Sequence, residues 1–243
     1  MPPSTLGEFL GTLVLVLLGN GVVAAVLLER SKAKDAGWIA ITAGWAFAVL
    51  GGVLVATALG APGELNPAVT VANVILGTRT TTDAAAHITA QFAGAIAGAI
   101  LVWLHYLPHW RATDDPARIL GCFATAPAIR STPANLTSEI IATALLVIAA
   151  GAAGTRGVAG TTPATNLGPA LVAALVWGIG LSLGGPTGYA LNPARDLGPR
   201  IAHALLPIAN KGPSDWAYAW IPVAGPLLGA ILAAIVWGAV LPV

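Results

Sequence analysis

Two copies of the tripeptide Asn-Pro-Ala are the residues of this sequence whose type and spacing could most clearly carry chemistry. Each opens an apolar segment that is too short to cross a membrane. The tripeptides are Asn66-Pro67-Ala68 and Asn192-Pro193-Ala194, and the segments are 66–78 and 192–206. Asn before Pro is a helix start signal, because the Asn side chain caps the helix and Pro fits its first position. Both segments are therefore predicted to be half-helices, which membranes tolerate only where the backbone lines a cavity or is buried in protein.

Charged side chains in or near these apolar stretches are the second candidate for a functional role. Arg195 follows the second tripeptide, and a charge at membrane depth is expensive enough to indicate function. Its guanidinium offers two N–H donors in a rigid fork to adjacent hydroxyl groups. Glu8 and Glu139 stand near the starts of two long apolar segments. Each carboxylate is expected to be hydrogen-bonded, since an isolated one would be costly.

The other polar residues show no arrangement typical of an enzyme or a metal site. The four histidines do not share metal-ligand spacing and are predicted to lie at membrane interfaces or helix ends; they are His87, His105, His109 and His203. A single cysteine, Cys122, excludes an intramolecular disulfide and a multi-cysteine metal site. The sequence has no nucleophile–base pair and no phosphate-binding glycine loop, so we expect no enzymatic activity, no cofactor and no metal ion.

The composition decides the broad class of protein. Charged residues are 9% of the 243 residues, against a usual ~25%, and 56% are hydrophobic. A water-soluble fold of this size could not cover itself with so few charges, and the apolar content is too high for disorder. The formal net charge of +1 gives no basic surface for nucleic acid. The chain is therefore predicted to be an integral membrane protein.

Long apolar segments define the expected architecture. A helix needs about 20 mostly apolar residues to cross the hydrocarbon layer. Five segments meet or nearly meet that length, at 6–28, 36–60, 84–107, 164–189 and 217–241, and a sixth at 138–154 is shorter. The runs are apolar on every face, unlike the alternating strands of a porin-type barrel. The prediction is an all-α membrane protein with six transmembrane helices plus two re-entrant half-helices.

The chain also resembles itself. Gly7–Thr12 is similar to Ser138–Thr143, and Ala93-Gly94-x-x-x-Gly98 is similar to Ala224-Gly225-x-x-x-Gly229. Each half has three long helices, and this odd number requires the halves to insert with opposite orientation. The prediction is an inverted repeat over about 1–110 and 134–243, joined by a polar loop between 110 and 134. Its site would lie near the midplane, where the broken helices meet.

The residues around both tripeptides resemble the signatures of the aquaporin family. The two stretches are Glu64-Leu65-Asn66-Pro67-Ala68-Val69-Thr70 and Gly188-Tyr189-Ala190-Leu191-Asn192-Pro193-Ala194-Arg195-Asp196. The Arg-Asp pair that ends the second stretch resembles the aquaglyceroporin (glycerol facilitator) branch. The match in architecture covers nearly the whole chain and implies one channel domain over 1–243. The resemblance further implies a passive channel with one pore per subunit, assembled as a homotetramer.

The physics of the tripeptides fits such a channel. Two half-helices that meet head to head aim their positive N-terminal ends at the pore centre, which repels cations and protons. Asn66 and Asn192, held by capping, would direct side-chain NH₂ donors into the lumen. A passing molecule that accepts these bonds must turn its own hydrogens outward, which breaks a proton wire. The resemblance implies that Glu8 and Glu139 each accept N–H bonds from the half-helix loop of their own half.

Two further carboxylates flank the tripeptides. Asp196 is predicted to pair with a loop cation such as Arg200 or Lys211, in a structural role. Glu64 stands where many family members have His, and the sequence leaves open which way its side chain points. A position at the pore mouth would favour cations or protons nearby.

The resemblance assigns four residues to the narrowest part of the pore. They are Trp45, Gly180, Tyr189 and Arg195. Gly180 would leave space for a three-carbon chain where water-only channels have His. Trp45 and Tyr189 would form an apolar corner for C–H faces, while Arg195 meets hydroxyl groups. Tyr189 differs from the Phe common in glycerol channels, and its hydroxyl would either narrow the filter or offer a further hydrogen bond.

The predicted function is a passive, non-enzymatic channel for glycerol and other small neutral solutes, with water passing as well. Its partners would be these solutes and the lipid bilayer, without nucleic acid. One alternative is passage of small organic acids in neutral form, such as lactic acid, which has the size of glycerol. Another is an ion- or proton-coupled carrier, which would need an ionisable relay through the lumen. Glu8 and Glu139 are better explained as loop anchors.

The expected location is the cell membrane, where the resemblance and the loop charges disagree on orientation. The resemblance implies that both termini are cytoplasmic. The loops after helices 1, 3 and 5 carry nine basic residues, Arg30, Lys32, Lys34, Arg111, Arg118, Arg130, Arg195, Arg200 and Lys211, against two in the others, Arg79 and Arg156. The positive-inside rule would place the larger set in the cytoplasm. The half-helix framework is the stronger match, so the family orientation is expected.

Overall fold

Ten helices form the part of the chain that the computed structural model describes, residues 2–153 and 167–240. In chain order they are α1 (Pro3–Leu27), α2 (Trp38–Ala58), α3 (Pro67–Ile75), α4 (Thr81–His105), α5 (Leu107–Ala112), α6 (Pro116–Gly121), α7 (Thr132–Ala153), α8 (Leu167–Leu183), α9 (Pro193–Leu205) and α10 (Ile221–Val240). These ranges contain no strand, in agreement with the predicted all-α class.

Five of these helices, α1, α2, α4, α7 and α10, are long and apolar enough to cross a membrane. Helix α8 is apolar over its 17 described residues and lies within the predicted segment 164–189, whose first residues lie outside the described ranges. The prediction is too long at its other end, because the helix ends at Leu183 and the chain continues as the loop before α9. Helix α7 begins at Thr132, earlier than the predicted 138. Pro133 fits a first helical turn, and Asn135 accepts a hydrogen bond from the Ser131 backbone N–H at 2.9 Å, so the start is satisfied upstream of the apolar run.

The link between the halves contains helices that the sequence did not predict. The segment 110–134 was expected to be a polar loop, yet α6 lies entirely within it and α5 ends inside it. The Asp115 carboxylate caps α6 by accepting the backbone N–H groups of Ala117 and Arg118 at 2.9 and 3.2 Å. Asp before Pro is therefore a third helix start of the same kind as Asn before Pro. It was not predicted because α6 has only six residues and lies in a polar segment.

Glycines bring the long helices of each half into close contact. A side chain at Gly98 of α4 would place its Cβ 2.6 Å from the Leu13 carbonyl oxygen of α1. Gly229 of α10 approaches the Ile140 carbonyl oxygen of α7 in the same way. Such contacts require the absence of a side chain, because closely packed interiors cannot move aside. The equivalent pairs α1–α4 and α7–α10 agree with the repeat seen in the sequence.

Each half-helix packs against a long helix of the other half. Ala68 and Ala72 of α3 form a buried cluster with Ala230 and Ala234 of α10. Helix α9 lies against α4, where a Cβ at Gly198 would come within 2.7 Å of the Ala95 Cβ. Small residues at these contacts allow the backbones to approach closely. The exchange places the N-terminal ends of α3 and α9 at a shared junction inside the helix bundle.

Candidate functional site

The junction between α3 and α9 is built by the two Asn-Pro-Ala tripeptides. Asn66 Oδ1 accepts the Ala68 backbone N–H at 2.9 Å, and its Nδ2 donates to the Leu191 carbonyl oxygen at 2.9 Å. Asn192 Oδ1 accepts the Ala194 N–H at 3.0 Å, and its Nδ2 donates to the Leu65 carbonyl oxygen at 2.7 Å. Each Asn therefore caps its own helix and binds the loop before the other. One amide N–H of each side chain is not used by these bonds.

Two buried glutamates hold the loops that precede the half-helices. The Glu8 carboxylate accepts the backbone N–H groups of Glu64 and Leu65 at 2.9 and 2.8 Å. The Glu139 carboxylate accepts those of Ala190 and Leu191, both at 3.0 Å. Leu65 and Leu191 have positive φ values of 50° and 57°. The two glutamates therefore stabilise a backbone conformation that residues other than glycine rarely adopt. Each glutamate thus contacts the loop of its own half.

Asp196 takes part in a fully buried ion pair with Arg200 at 2.8 Å. Its other carboxylate oxygen accepts the Thr125 backbone N–H and hydroxyl at 2.7 and 2.6 Å. Arg200 was considered as a loop cation, yet it lies within α9, one turn after Asp196. The alternative partner Lys211 instead donates to the carbonyl oxygens of His203, Ala204 and Leu206 at the end of α9. The network fastens α9 to the link between the halves.

The Glu64 side chain points toward α3 and α4. Its carboxylate accepts hydrogen bonds from Thr70 Oγ1 at 2.7 Å and Asn73 Nδ2 at 2.7 Å. Arg79 Nε lies 3.3 Å from the same carboxylate, whose side chain is 3% exposed. His87 Nδ1 is 3.6 Å away. The carboxylate is thus engaged by protein groups rather than displayed as a free charge.

A cavity of about 460 Å³ runs past the junction. Asn66 and Asn192 line it together with Glu64 and Asn73, which provide its polar wall. Most of the remaining wall is apolar and comes from α2, α7 and α8, with residues such as Val49, Val53, Leu146, Val147, Val172 and Val176. A cavity whose wall contains both hydrogen-bonding and apolar residues suits an amphipathic, uncharged solute.

Three of the four predicted filter residues line this cavity: Trp45, Tyr189 and Arg195. The Arg195 guanidinium lies 3.9 Å from the centre of the Trp45 ring. Among the described residues it makes no hydrogen bond or ion pair through its side chain, although it is only 7% exposed. Gly19 of α1 leaves the space in which the Trp45 ring packs. The geometry offers N–H donors beside an aromatic surface.

The space beside Gly180 is filled, whereas it was expected to be open. A Cβ at this position would lie 2.8 Å from Tyr189 Cζ and 2.9 Å from Thr42 Cγ2. The space that the glycine leaves is therefore filled by the Tyr189 ring, and it is not open to a three-carbon chain. The Trp38 ring meets Tyr189 edge to face with centroids 5.8 Å apart, and its indole N–H donates to the Gly180 carbonyl oxygen at 3.0 Å. Gly180 affects the cavity wall indirectly, because it leaves the space in which Tyr189 packs.

The histidine prediction is wrong for one of the four residues. His87 is 2% exposed and lies inside α4, whereas His203 lies in the last turn of α9, as predicted, although it is fully buried. His203 Nδ1 is hydrogen-bonded to Ser214 Oγ at 2.8 Å, and its ring packs edge to face on Phe123. These partners lie in other segments of the chain, so no local pattern announced the burial.

Four polar residues of the site were not singled out from the sequence. They are Thr70, Gln91, Thr125 and Thr187. Gln91 Nε2 donates to Glu8 Oε2 at 2.8 Å and to Thr70 Oγ1 at 3.0 Å, and Thr187 Oγ1 donates to Glu139 Oε1 at 2.6 Å. A lone amide within the apolar run of α4 was the signal for Gln91, because a buried polar group requires partners.

The same architecture occurs in a solved structure. The aquaglyceroporin from Plasmodium falciparum has a TM-score of 0.85 and 28% sequence identity to this chain, over 98% of this chain and 96% of that one. Two half-helices that meet end to end inside a bundle of long apolar helices, with a cavity at their junction, define an aquaporin-type membrane protein.

Sequence comparisons lead to the family. Residues 3–237 match the family model described as "Major intrinsic protein". "Glycerol uptake facilitator protein 3" of Lactiplantibacillus plantarum is 54% identical over 237 residues, which are 98% of this chain and 96% of that relative. "Glycerol uptake facilitator protein" of Streptococcus pneumoniae is 52% identical over 231 residues, 95% of this chain and 96% of that relative. The chain belongs to the major intrinsic protein family, and the predicted family and fold class are confirmed.

Proposed function

We propose that this protein is a passive channel for glycerol and similar small uncharged solutes, that it also conducts water, and that it is not an enzyme. The observation that carries the proposal is the Arg195 guanidinium on the cavity wall. It is buried against the Trp45 ring at 3.9 Å, and the described residues leave its side-chain N–H groups without a hydrogen-bond acceptor. Buried donors are normally paired, so these donors suit the hydroxyl oxygens of a passing solute.

The aromatic surfaces beside Arg195 complete a filter for polyols. The rings of Trp45 and Tyr189 line the cavity and offer apolar contact to the C–H face of a linear molecule. A solute with hydroxyl groups along one edge and carbon along the other satisfies both surfaces at once. An ion would lose its hydration shell and gain too few bonds in return.

The Asn66–Asn192 junction provides the second selective region of the proposed pore. Both helix N-termini end there, and their partial positive charges oppose cations. The amide N–H that each Asn keeps free is available to the oxygen of water or glycerol. The oxygen must then accept from the protein, which prevents a continuous proton wire through this point.

A coupled carrier is disfavoured by the state of its candidate relay groups. Glu8 and Glu139 are both buried and accept three bonds each from loop N–H groups and neighbouring side chains. A carboxylate that holds a loop in place through both oxygens is unsuited to releasing and accepting protons along a lumen. Lactic acid in neutral form remains the alternative solute, because its size matches that of glycerol.

We place the proposed channel in the cell membrane as a homotetramer of single-domain subunits, with both termini cytoplasmic and repeats over about 1–110 and 134–243. The basic residues that argued against this orientation are mostly engaged in structural contacts. Lys34 and Arg118 pair with Glu29, Arg130 with Asp215 and Arg200 with Asp196, while Lys211 binds carbonyl oxygens at the end of α9. The number of basic residues in these loops therefore reflects structural contacts as well as the orientation of the chain in the membrane.

Light scattering on liposomes that contain the purified protein tests this function. Shrinkage and reswelling are followed under osmotic gradients of glycerol, erythritol and lactic acid, with an impermeant solute for water permeability and protein-free liposomes as the control. We expect protein-dependent glycerol flux that does not saturate and does not respond to an ionophore. Absence of glycerol flux contradicts the proposal, flux of lactic acid alone supports the alternative solute, and dependence on a proton or sodium gradient indicates a carrier.

A further inference from the structure

Asn73 is a polar residue on the cavity wall that the roles described above leave unused. It lies in α3, seven residues after Asn66, and lines the cavity together with Asn66, Val69 and Leu76. This spacing places the four residues on one face of the helix. Asn73 is therefore a second amide about 10 Å further along the same face. Because α3 and α9 run in opposite directions from the junction, Asn73 and Arg195 lie on opposite sides of it.

Glu64 determines how the Asn73 amide is oriented. Asn73 Nδ2 donates to Glu64 Oε1 at 2.7 Å. A carboxylate offers only acceptors, so reversing the amide would bring two oxygens together. The NH₂ group is thereby held on the Glu64 side. Within the described ranges no group donates to Asn73 Oδ1, and this oxygen is not among the fully buried atoms.

The orientation of Glu64 is itself fixed by two other donors. Thr70 Oγ1 donates to Glu64 Oε2 at 2.7 Å, and Arg79 Nε donates to Oε1 at 3.3 Å. The Glu64 side chain is 3% exposed, so it has little freedom to turn away. The chain of contacts from Arg79 through Glu64 to Asn73 thus presents a carbonyl oxygen in a preset direction.

We propose that Asn73 determines specificity in the proposed channel by accepting a hydrogen bond, through Oδ1, from a hydroxyl group of the passing solute. The inference rests on the proposed function. Arg195, Asn66 and Asn192 all offer N–H donors, which satisfy the oxygen lone pairs of a polyol but none of its hydroxyl hydrogens. Asn73 supplies an acceptor for those hydrogens on the far side of the junction. Glu64 and Arg79 are positioning residues in this scheme, since they act through the Asn73 amide.

The substitution Asn73→Leu tests the proposal, because it keeps the approximate size of the side chain and removes the acceptor. We expect glycerol permeability in liposomes to fall about three- to tenfold, the loss that corresponds to one hydrogen bond. Water permeability should stay within about twofold, because water is small enough to find other hydrogen-bond partners in the cavity. Thr78→Val is the matched control: it removes a hydroxyl from the exposed loop after α3, where Thr78 Oγ1 donates to the Asn73 carbonyl oxygen.

Asn73→Ala provides a second test that removes the acceptor without adding bulk to the cavity wall. Glu64 keeps its bonds from Thr70 and Arg79 in this variant. We expect a similar loss of glycerol permeability, with water permeability within about twofold of the wild type. If Asn73→Leu does not assemble, as judged by size-exclusion chromatography, Asn73→Ala decides the question alone.

The outcomes separate this inference from the proposed function. An assembled Asn73→Leu or Asn73→Ala protein with the wild-type ratio of glycerol to water permeability overturns the inference and leaves the channel function standing. An equal fall in glycerol and water permeability also overturns it, since that result indicates a general change in the pore. A wild-type protein that conducts no hydroxylated solute overturns both proposals.

Discussion

The cavity wall near Arg195 depends on the packing of the Tyr189 ring against Gly180, which has no side chain. Tyr189 packs where a Cβ of Gly180 would be, and its ring is further enclosed by Trp38 and by Gly184, where a Cβ would lie 2.6 Å from Tyr189 Cδ1. Glycine at position 180 is thus required for the seating of the aromatic residue that lines the cavity. The residue at position 180 therefore affects a passing solute only through the placement of the Tyr189 ring.

Gly180→Ala is expected to narrow the filter by pushing the Tyr189 ring toward the lumen. The added methyl would lie 2.8 Å from Tyr189 Cζ, and the helix behind it cannot retreat. We expect glycerol permeability to fall at least about tenfold, which corresponds to about 1.4 kcal/mol of added barrier, with a smaller effect on water. Liposome light scattering gives both values.

Gly178→Ala is the control for this change, since a Cβ at Gly178 meets nothing within 4 Å and the residue lies in the same helix. It should leave both permeabilities unchanged. Unaltered glycerol flux in an assembled Gly180→Ala protein would show that the Tyr189 ring does not bound the filter.

At the scale of elements, each half fastens its half-helix with a hydrogen bond between a hydroxyl and a carboxylate. The two halves differ in which element carries which group. Thr70 and Asp196 both stand four residues after the Asn of their tripeptide. In the first half the half-helix carries the hydroxyl of Thr70, and Glu64 of the loop carries the carboxylate. In the second half the half-helix carries the carboxylate of Asp196, and Thr125 of the link carries the hydroxyl. The same kind of hydrogen bond is thus present in both halves, although the residues at equivalent positions differ.

Glu139→Gln should destabilise the second half-helix loop. The Glu139 carboxylate accepts two backbone N–H groups and the Thr187 hydroxyl with both of its oxygens. An amide has one acceptor oxygen, and its NH₂ would face donors. We expect a loss of about 2–4 kcal/mol and a lower Tm in detergent, by about 5–15 °C. Thr137→Val, which removes an exposed hydroxyl from the same helix, is the control. A Tm equal to that of the control would mean that these bonds contribute little.

The sequence predicts the half-helix starts well and the fastening around them poorly. Asn before Pro fixes a cap through local contacts alone, so α3 and α9 begin where predicted. Asp196 and His203 have partners in the distant link, which shows little regular pattern, and the partners of Glu64 come from the following half-helix and the loop after it. Their identity depends on how the helices pack, which no local periodicity encodes. The same holds for Gly180, whose neighbour is determined by the rotamer of Tyr189.

For the whole molecule, the glycine contacts between α1 and α4 and between α7 and α10 hold each half together. Replacing Gly98 or Gly229 by Ala inserts a methyl group against a backbone carbonyl oxygen of the facing helix. We expect each change to cost about 1–3 kcal/mol through overpacking and to lower the Tm by a similar amount in both halves. Gly21→Ala is the control, because a Cβ there meets nothing within 4 Å. Unequal effects of the two changes would contradict the structural equivalence of the repeats.

The exchange of packing partners between the halves has a consequence for biogenesis. Helix α3 emerges early, yet the small residues that cover Ala68 and Ala72 belong to α10, which follows the other described helices in the chain. The Leu191 carbonyl oxygen, which accepts a hydrogen bond from the Asn66 side chain, is likewise made much later than Asn66. Chains are synthesised from the N-terminus, and contacts between distant segments form slowly. The packing around α3 is therefore incomplete while the first helices are made, and it is finished only when α10 docks.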